Sequence, residues 1–260
     1  VSKAMAGVGV IFYVMLALRA ALRDSGWFAE TGRAEPNLAE LLDLVALGTV
    51  ADVVPLDANN RILVHQGLAR IRAGRCRPGI RALLEVAGRP RERLGSTDLG
   101  FIVGPRLNAA GRLDDMSLGI ECLLTDSESL ALDMARELDA LNRDRKAIER
   151  DMQQQALKTL ESMQLDETAL PFGLCLYDPE WHQGVIGILA SRLKDRFHRP
   201  VIAFADAGDG MVKGSARSVN GLHIRDALDA VAARHPELIS KFGGHAMAAG
   251  LSLREADFPA

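Results

Sequence analysis

The sequence predicts an α/β protein in three parts: a helix-rich region over residues 1–125, a long connecting helix over 126–165, and a small α/β domain over 166–260. Three observations predict it. Apolar residues recur three or four apart through much of the first half, the period of a helix face. No Gly or Pro occurs between Asp126 and Leu165, so nothing marks a break there. After Pro171 short apolar runs alternate with helical stripes, as strand–helix–strand units do.

Taken in order, residues 4–24 fit a helix that Asp24-Ser25-Gly26 breaks. Its apolar stretch from Ala4 to Leu22 raises the question of a membrane segment. Gly7, Gly9, Tyr13 and Arg19 interrupt it and no cleavage site follows, so a buried helix is expected. Asn37 is placed to cap a stripe of Leu38, Leu41, Leu42, Leu44 and Val45 that ends at Gly48. Helices follow over Asn60 to Ile71 and Gly79 to Val86.

Thr125-x-x-Glu128 has the form of a capping box, opening a stripe of Leu130, Met134, Leu138, Leu141, Ile148 and Met152. A helix of about 40 residues would span roughly 60 Å and serve as a rod between domains. The alternative is two helices broken near Asn142-Arg143-Asp144. Beyond it, strands are expected at Phe172–Leu176, Val201–Phe204, Met211–Ser215 and Ala246–Leu253, with helices at Gly184–Arg196 and His223–Arg234. Val1 falls in mid-pattern and a strand is still ending at Leu253, so both ends read as interruptions.

Composition narrows the function. The chain is 48% hydrophobic and 25% charged, ordinary for a globular protein. A formal net charge of −3 excludes a uniformly basic nucleic-acid coat but not a local basic groove. Aromatics at 5% argue against a base-stacking platform. Cys76, Cys122 and Cys175 lie far apart, which speaks against a zinc site or a disulfide framework and for a reducing cytoplasm. The signatures of P-loop, Rossmann, HExxH and GxSxG chemistry are missing from the sequence.

Four stretches place polar groups where a core should be simple. In Gly48-Thr49-Val50-Ala51-Asp52-Val53-Val54-Pro55-Leu56, Asp52 is costly to bury unless paired or metal-bound; capping the next helix is the competing role. Gly104-Pro105-Arg106-Leu107-Asn108-Ala109-Ala110-Gly111-Arg112 could bring two guanidiniums to a phosphate, or form a loop solvated or paired with Asp114 and Asp115. Trp181-His182-Gln183-Gly184-Val185-Ile186-Gly187 leads into a helix N-terminus that favours anions; there His182 could serve a phosphate, transfer protons, or act as a structural donor. In Lys213-Gly214-Ser215-Ala216-Arg217-Ser218, Ser215 and Arg217 alternate onto one strand face, suited to a phosphate. Lys241-Phe242-Gly243-Gly244-His245 permits close backbone contact at Gly243 and Gly244, with His245 beside them.

In this order, together with the long helix, these stretches resemble the RecJ branch of the DHH phosphoesterase family over essentially the whole chain. The resemblance implies the helix-rich remainder of a DHH domain, the connecting helix, and a DHH-associated substrate-binding domain. It implies a single-strand-specific 5′→3′ DNA exonuclease of repair and recombination, using two Mn2+ or Mg2+ ions. It makes Asp52 a metal ligand and places Arg106, Asn108 and Arg112 at the scissile phosphate. Ser215 and Arg217 would bind the 5′ phosphate, while His182, Gly243, Gly244 and His245 would grip the strand. Partner proteins of the helicase or single-strand-binding kind are implied, and a membrane is not.

The family's Asp-x-Asp and Asp-His-His motifs have no counterpart in this sequence. One carboxylate cannot hold two cations that each want about six ligands. Little or no hydrolysis is therefore expected, and the first 120 residues should expose an apolar face, as they would without a parallel sheet's strands. Two other readings stay open: a phosphoesterase for short oligonucleotides, cyclic dinucleotides or pyrophosphate from the same superfamily, and a non-catalytic nucleic-acid-binding relative.

Overall fold

The computed structural model describes residues 3–113, 115–162 and 171–259, with the side chains of 112–113 and 156–162 outside the description. It divides into two compact units, residues 1–143 and 144–260.

The first unit is helical. α1 (Gly7–Asp24) and the short α2 (Trp27–Thr31) precede a 3-10 turn at Leu38–Leu41, α3 (Leu42–Ala51) and α4 (Ala58–Arg72). Next come α5 (Pro78–Val86), the single turn α6 (Ser96–Asp98), a π-type turn (Leu99–Val103), α7 (Gly104–Leu113) and α8 (Ser117–Leu124). Caps explain the boundaries. Asn37 accepts from the Ala39 amide at 3.3 Å, capping the 3-10 turn rather than α3 directly. Asp57, not Asp52, caps α4 by accepting from Asn60 N at 3.0 Å. Pro78 opens α5, where its missing N–H costs nothing.

Ile71, Ile80, Leu83, Leu99, Val103 and Leu138 form the centre of this unit's core. Each such side chain contributes roughly 1.5–3 kcal/mol through burial. Two glycines let backbones touch. A Cβ at Gly67 would lie 2.2 Å from Leu42 O, and one at Gly79 1.9 Å from Cys122 O.

α1 departs from the expected buried helix. Only Gly9 and Phe12 are buried, and Val10, Ile11, Val14 and Leu18 remain about half exposed. An apolar face of the kind expected from the sequence is therefore present. Among the described residues, no helix is long and apolar enough to cross a membrane.

α9 (Glu128–Ser162) is one unbroken helix of 35 residues through Asn142-Arg143-Asp144, about 52 Å long at 1.5 Å per residue. Its cap is Ser127, whose hydroxyl accepts from Leu130 N, while Thr125 only receives the Ser127 amide. Its buried positions are Ala131, Ala135, Leu138, Asn142, Arg145, Glu149 and Met152, a seam of alternating four and three spacing. Leu130, expected in the stripe, lies exposed beside it.

The second unit is a five-stranded mixed sheet in the order β1-β2-β3-β5-β4. β1 (Leu174–Tyr177) runs parallel to β2 (Val201–Gly208); β3 (Met211–Arg217), β5 (Ala248–Arg254) and β4 (Lys241–Gly244) pair antiparallel. α10 (Ile186–Phe197) forms the crossover between the parallel strands. Phe204, Val212, Ala216, Ala249, Leu251 and Leu253 pack one sheet face against Ile224 and Leu228 of α11 (Ile224–Arg234). The Gly-rich segment Lys241–Gly244, where no strand is expected from the sequence, is one because β5 supplies its hydrogen-bond partners.

Candidate nucleic-acid interface

The first unit positions four of the sequence-derived site residues. Asp52 ends α3 as its C-cap, with its amide donating to Gly48 O at 3.0 Å. It is exposed, so no burial cost has to be met by a metal or a partner. The next residue, Val53, is held at φ 55° and is also exposed. A β-branched residue there carries about 1–3 kcal/mol of strain, and it turns the chain sharply beyond Asp52. Asn60 fastens this turn, its Nδ2 donating to Pro55 O at 2.8 Å and to Ala4 O at 2.9 Å.

The Gly104–Arg112 stretch is helical, in α7, rather than a loop. Arg106 is held by a partner the sequence did not suggest: Nε and Nη2 reach Asp139 Oδ1 at 2.9 and 2.8 Å, and Nη1 donates to Ile102 O at 2.8 Å. This fixes the guanidinium by a charge-assisted contact. Asn108 is exposed one half-turn further along. Arg112 follows it by four residues, on the same helix face; its side chain lies outside the described residues, as does Asp114. Among the described residues no group of three or more His, Cys, Asp or Glu could hold a metal ion.

The second unit gathers the remaining residues around the start of α10. Trp181 is buried, with its indole N–H donating to Gln155 Oε1 at 3.2 Å. His182 is exposed; its Nδ1 accepts the Gly184 amide at 3.0 Å, and its carbonyl accepts from Val185 and Ile186. The imidazole therefore shapes the turn into α10.

Ser215 and Arg217 point to the same sheet face, and Arg217 Nη1 donates to Ser215 Oγ at 3.1 Å and to Ala216 O at 2.8 Å. Gly187 makes room for them: a Cβ there would lie 2.8 Å from Arg217 Nη2 and 3.0 Å from Ser215 Oγ. A guanidinium, a hydroxyl and the first turn of a helix thus share one small space, the composition of an anion cradle. Gly243 and Gly244 lie on the edge strand β4. Gly244 has φ 148°, and a Cβ there would meet Ala248 O at 2.4 Å. His245 closes the β4–β5 hairpin by donating its amide to Ala248 O at 2.8 Å.

Sequence reasoning missed two buried acids. Asp43 is fully buried; its Oδ1 accepts from Leu44 N at 2.7 Å and its Oδ2 from Arg77 N at 2.8 Å. Glu149 accepts from Arg145 at 3.0 Å and from Arg192 at 3.2 Å. Each sits at a core-facing helical position, the one signal that could have found it. The three cysteines are free thiols, and burial pushes that of Cys122 up to about 11.

Residues 171–260 match the DHHA1 domain. Over 257 residues, 99% of the chain, it is 67% identical to the single-stranded-DNA-specific exonuclease RecJ of Dickeya dadantii and 66% identical to that of Escherichia coli. It spans only 45% and 44% of those proteins. Among solved structures it resembles RecJ of Thermus thermophilus in complex with Mn2+, with a TM-score of 0.74 at 36% identity over 89% of this chain and 32% of that one. It also resembles exonuclease RecJ bound to manganese, with a TM-score of 0.71 at 37% identity over 89% of this chain and 55% of that one.

Proposed function

Because the chain belongs to the RecJ family, we propose that it engages the 5′ end of single-stranded DNA as part of a metal-dependent 5′→3′ exonuclease. The observation that carries this reading is the cradle of Ser215 and Arg217 above Gly187 at the start of α10. A terminal phosphate bears more negative charge than an internal one and leaves more oxygens open to a guanidinium and helix amides. Seating that end in the second unit would set the polarity of degradation. His182 and the Gly243-Gly244-His245 hairpin would guide the strand leaving it, and Arg106, Asn108 and Arg112 would serve the scissile phosphate, as the family likeness implies. Residues 166–260 would then be the substrate-gripping domain, joined by the 126–165 helix to the remainder of the catalytic domain at 1–125.

The metal is a separate matter. Solved relatives carry Mg2+ or Mn2+, but the described residues do not fit a two-cation centre. Asp52 is an exposed carboxylate at a helix end, and among the described residues it belongs to no group of three or more His, Cys, Asp or Glu. On this reading the 260-residue chain binds strand ends and hydrolyses them little, which also favours the non-catalytic nucleic-acid-binding reading for this polypeptide by itself. A cytoplasmic setting in DNA repair and recombination, with helicases or single-strand-binding proteins as partners, completes the proposal.

Arg217→Ala tests it. Loss of a charge-assisted phosphate contact, about 1.5–3 kcal/mol, corresponds to roughly 10- to 150-fold weaker binding of a 5′-phosphorylated oligothymidylate. Fluorescence anisotropy against the 5′-hydroxyl oligomer reads the effect. Equal affinities for wild type and variant would remove the cradle from the mechanism.

A further inference from the structure

We propose that the part of the sheet left open beside α10 is a track for the sugar–phosphate backbone of single-stranded DNA, with Lys213, Ser252 and Lys241 as its second phosphate subsite. The proposal rests on reading Ser215 and Arg217 as the cradle for the 5′ phosphate.

Strand register places these residues together. Lys213 pairs with Ser252 and Ser252 with Lys241, so the three form a row across β3, β5 and β4. Directly opposed residues of antiparallel strands share a face. The next row is Ser215, Gly250 and Gly243, and the one after begins with Arg217 and Ala248. All three rows lie on the face opposite the Phe204, Val212 and Leu251 core. On this face α10 covers Val201, Ala203 and Ala205 of β2, which are fully buried. The β5–β4 portion is not covered: Lys241, Gly243 and Gly250 are exposed. A cleft of about 480 Å³ lies there, lined by Lys213, Lys241, Gly243, Gly250 and Ser252.

Two features of this face have no internal explanation. First, a Cβ added to Gly243 would touch nothing within 4 Å, and one at Gly250 would meet only Gly214 O at 3.9 Å. Glycine weakens a strand, and in a strand it commonly marks the close approach of another chain or ligand. Here two glycines face each other in register with no packing of the protein that requires them. Second, Lys213 and Lys241 flank one serine, and neither ammonium has an ion-pair partner among the described residues. Together they form a bare floor lying one row from two cations and a serine.

The spacing selects the occupant. Rows two residues apart along a strand are roughly 6.8 Å apart, comparable with successive phosphates of a stretched single strand. A strand whose 5′ phosphate lies at Arg217 and Ser215 meets Lys213 and Lys241 one row on, with its backbone over the glycines. The row carries cations and a hydroxyl but no base-reading amide, so binding is indifferent to sequence. An acidic peptide would match the charge but has no reason to prefer a phosphorylated end.

The test uses the whole chain, with pdT, p(dT)8 and the 5′-hydroxyl octamer as anisotropy probes across a salt series. Lys213→Ala/Lys241→Ala is expected to weaken p(dT)8 binding by about tenfold or more. The slope of log affinity against log salt should fall by about 0.7, the value for one phosphate contact. Binding of pdT and the preference for a 5′ phosphate should not change. Gly243→Val should weaken p(dT)8 and spare pdT, because it obstructs the floor without touching the cradle. Wild-type affinity and salt slope in the double variant overturn the track, while a lost phosphate preference in Arg217→Ala would still uphold the cradle. If the double variant loses p(dT)8 affinity and Arg217→Ala loses nothing, the lysine subsite stands and the cradle fails. Displacement of p(dT)8 by oligoglutamate as effectively as by unlabelled p(dT)8 overturns the track in favour of an acidic protein partner.

Discussion

Replacing Asp43 by alanine is expected to lower the unfolding free energy of the first unit by about 3 kcal/mol, the scale for removing one partner of a buried charged pair. Asp43 is fully buried on α3 and accepts the amides of Leu44 and Arg77, with the Arg77 guanidinium 3.6 Å from Oδ1. It ties α3 to the residue that precedes Pro78 and so sets where α5 begins. Alanine removes the carboxylate and leaves the Arg77 amide without its acceptor. Asp43→Asn keeps the shape and one acceptor, so its cost should be smaller, about 1–2 kcal/mol. Urea denaturation reads both as a shift of midpoint at constant slope. A midpoint for Asp43→Ala within experimental scatter of wild type would mean that the carboxylate does not hold α5 in place.

The second large effect is expected at Glu149. Glu149→Ala withdraws a carboxylate from Arg145, whose side chain is 10% exposed, and from Arg192, whose side chain is 61% exposed. Losing the charge-assisted bond from this buried guanidinium should cost the second unit about 1.5–3 kcal/mol. Arg192→Ala removes a partner that water can replace and should cost less than about 1 kcal/mol. Raising the salt concentration should narrow the Arg192→Ala difference and leave that of Glu149→Ala nearly unchanged, because buried pairs are poorly screened. Equal effects of the two substitutions would show that solvent reaches both arginines alike. The seam of α9 carries Asn142, Arg145 and Glu149 where apolar residues would be ordinary, and a long helix with a polar seam holds its packing partner in one register.

Secondary structure was largely legible because period and caps are local properties. α3, α4 and α5, the long α9 and the alternation of strands and helices after Pro171 follow from spacing that each segment carries within itself, whereas α7 and α8 were not read from it. The proposed anion cradle was half legible. Two residues apart on a strand must share a face, so Ser215 and Arg217 could be paired without coordinates, and Gly187 was recognisable as a position without a side chain.

Contacts between distant segments were not legible, for a physical reason. Arg106 finds Asp139 thirty-three residues away, and nothing near either residue specifies the other. α9 buries Ala131 and Ala135 rather than Leu130, because close helix approach rewards small side chains and a hydrophobic stripe counts only large ones. β4 becomes a strand through pairing with β5, despite a glycine content that weakens strands. That same pairing puts Lys241 in one row with Lys213, residues whose alignment across three strands is a property of register. The sequence by itself determined most of the segments that fold as helices and strands and that Ser215 and Arg217 share one strand face. Tertiary structure decided which charges neutralise each other and which remain for a ligand, because pairing depends on distances that only the assembled chain defines.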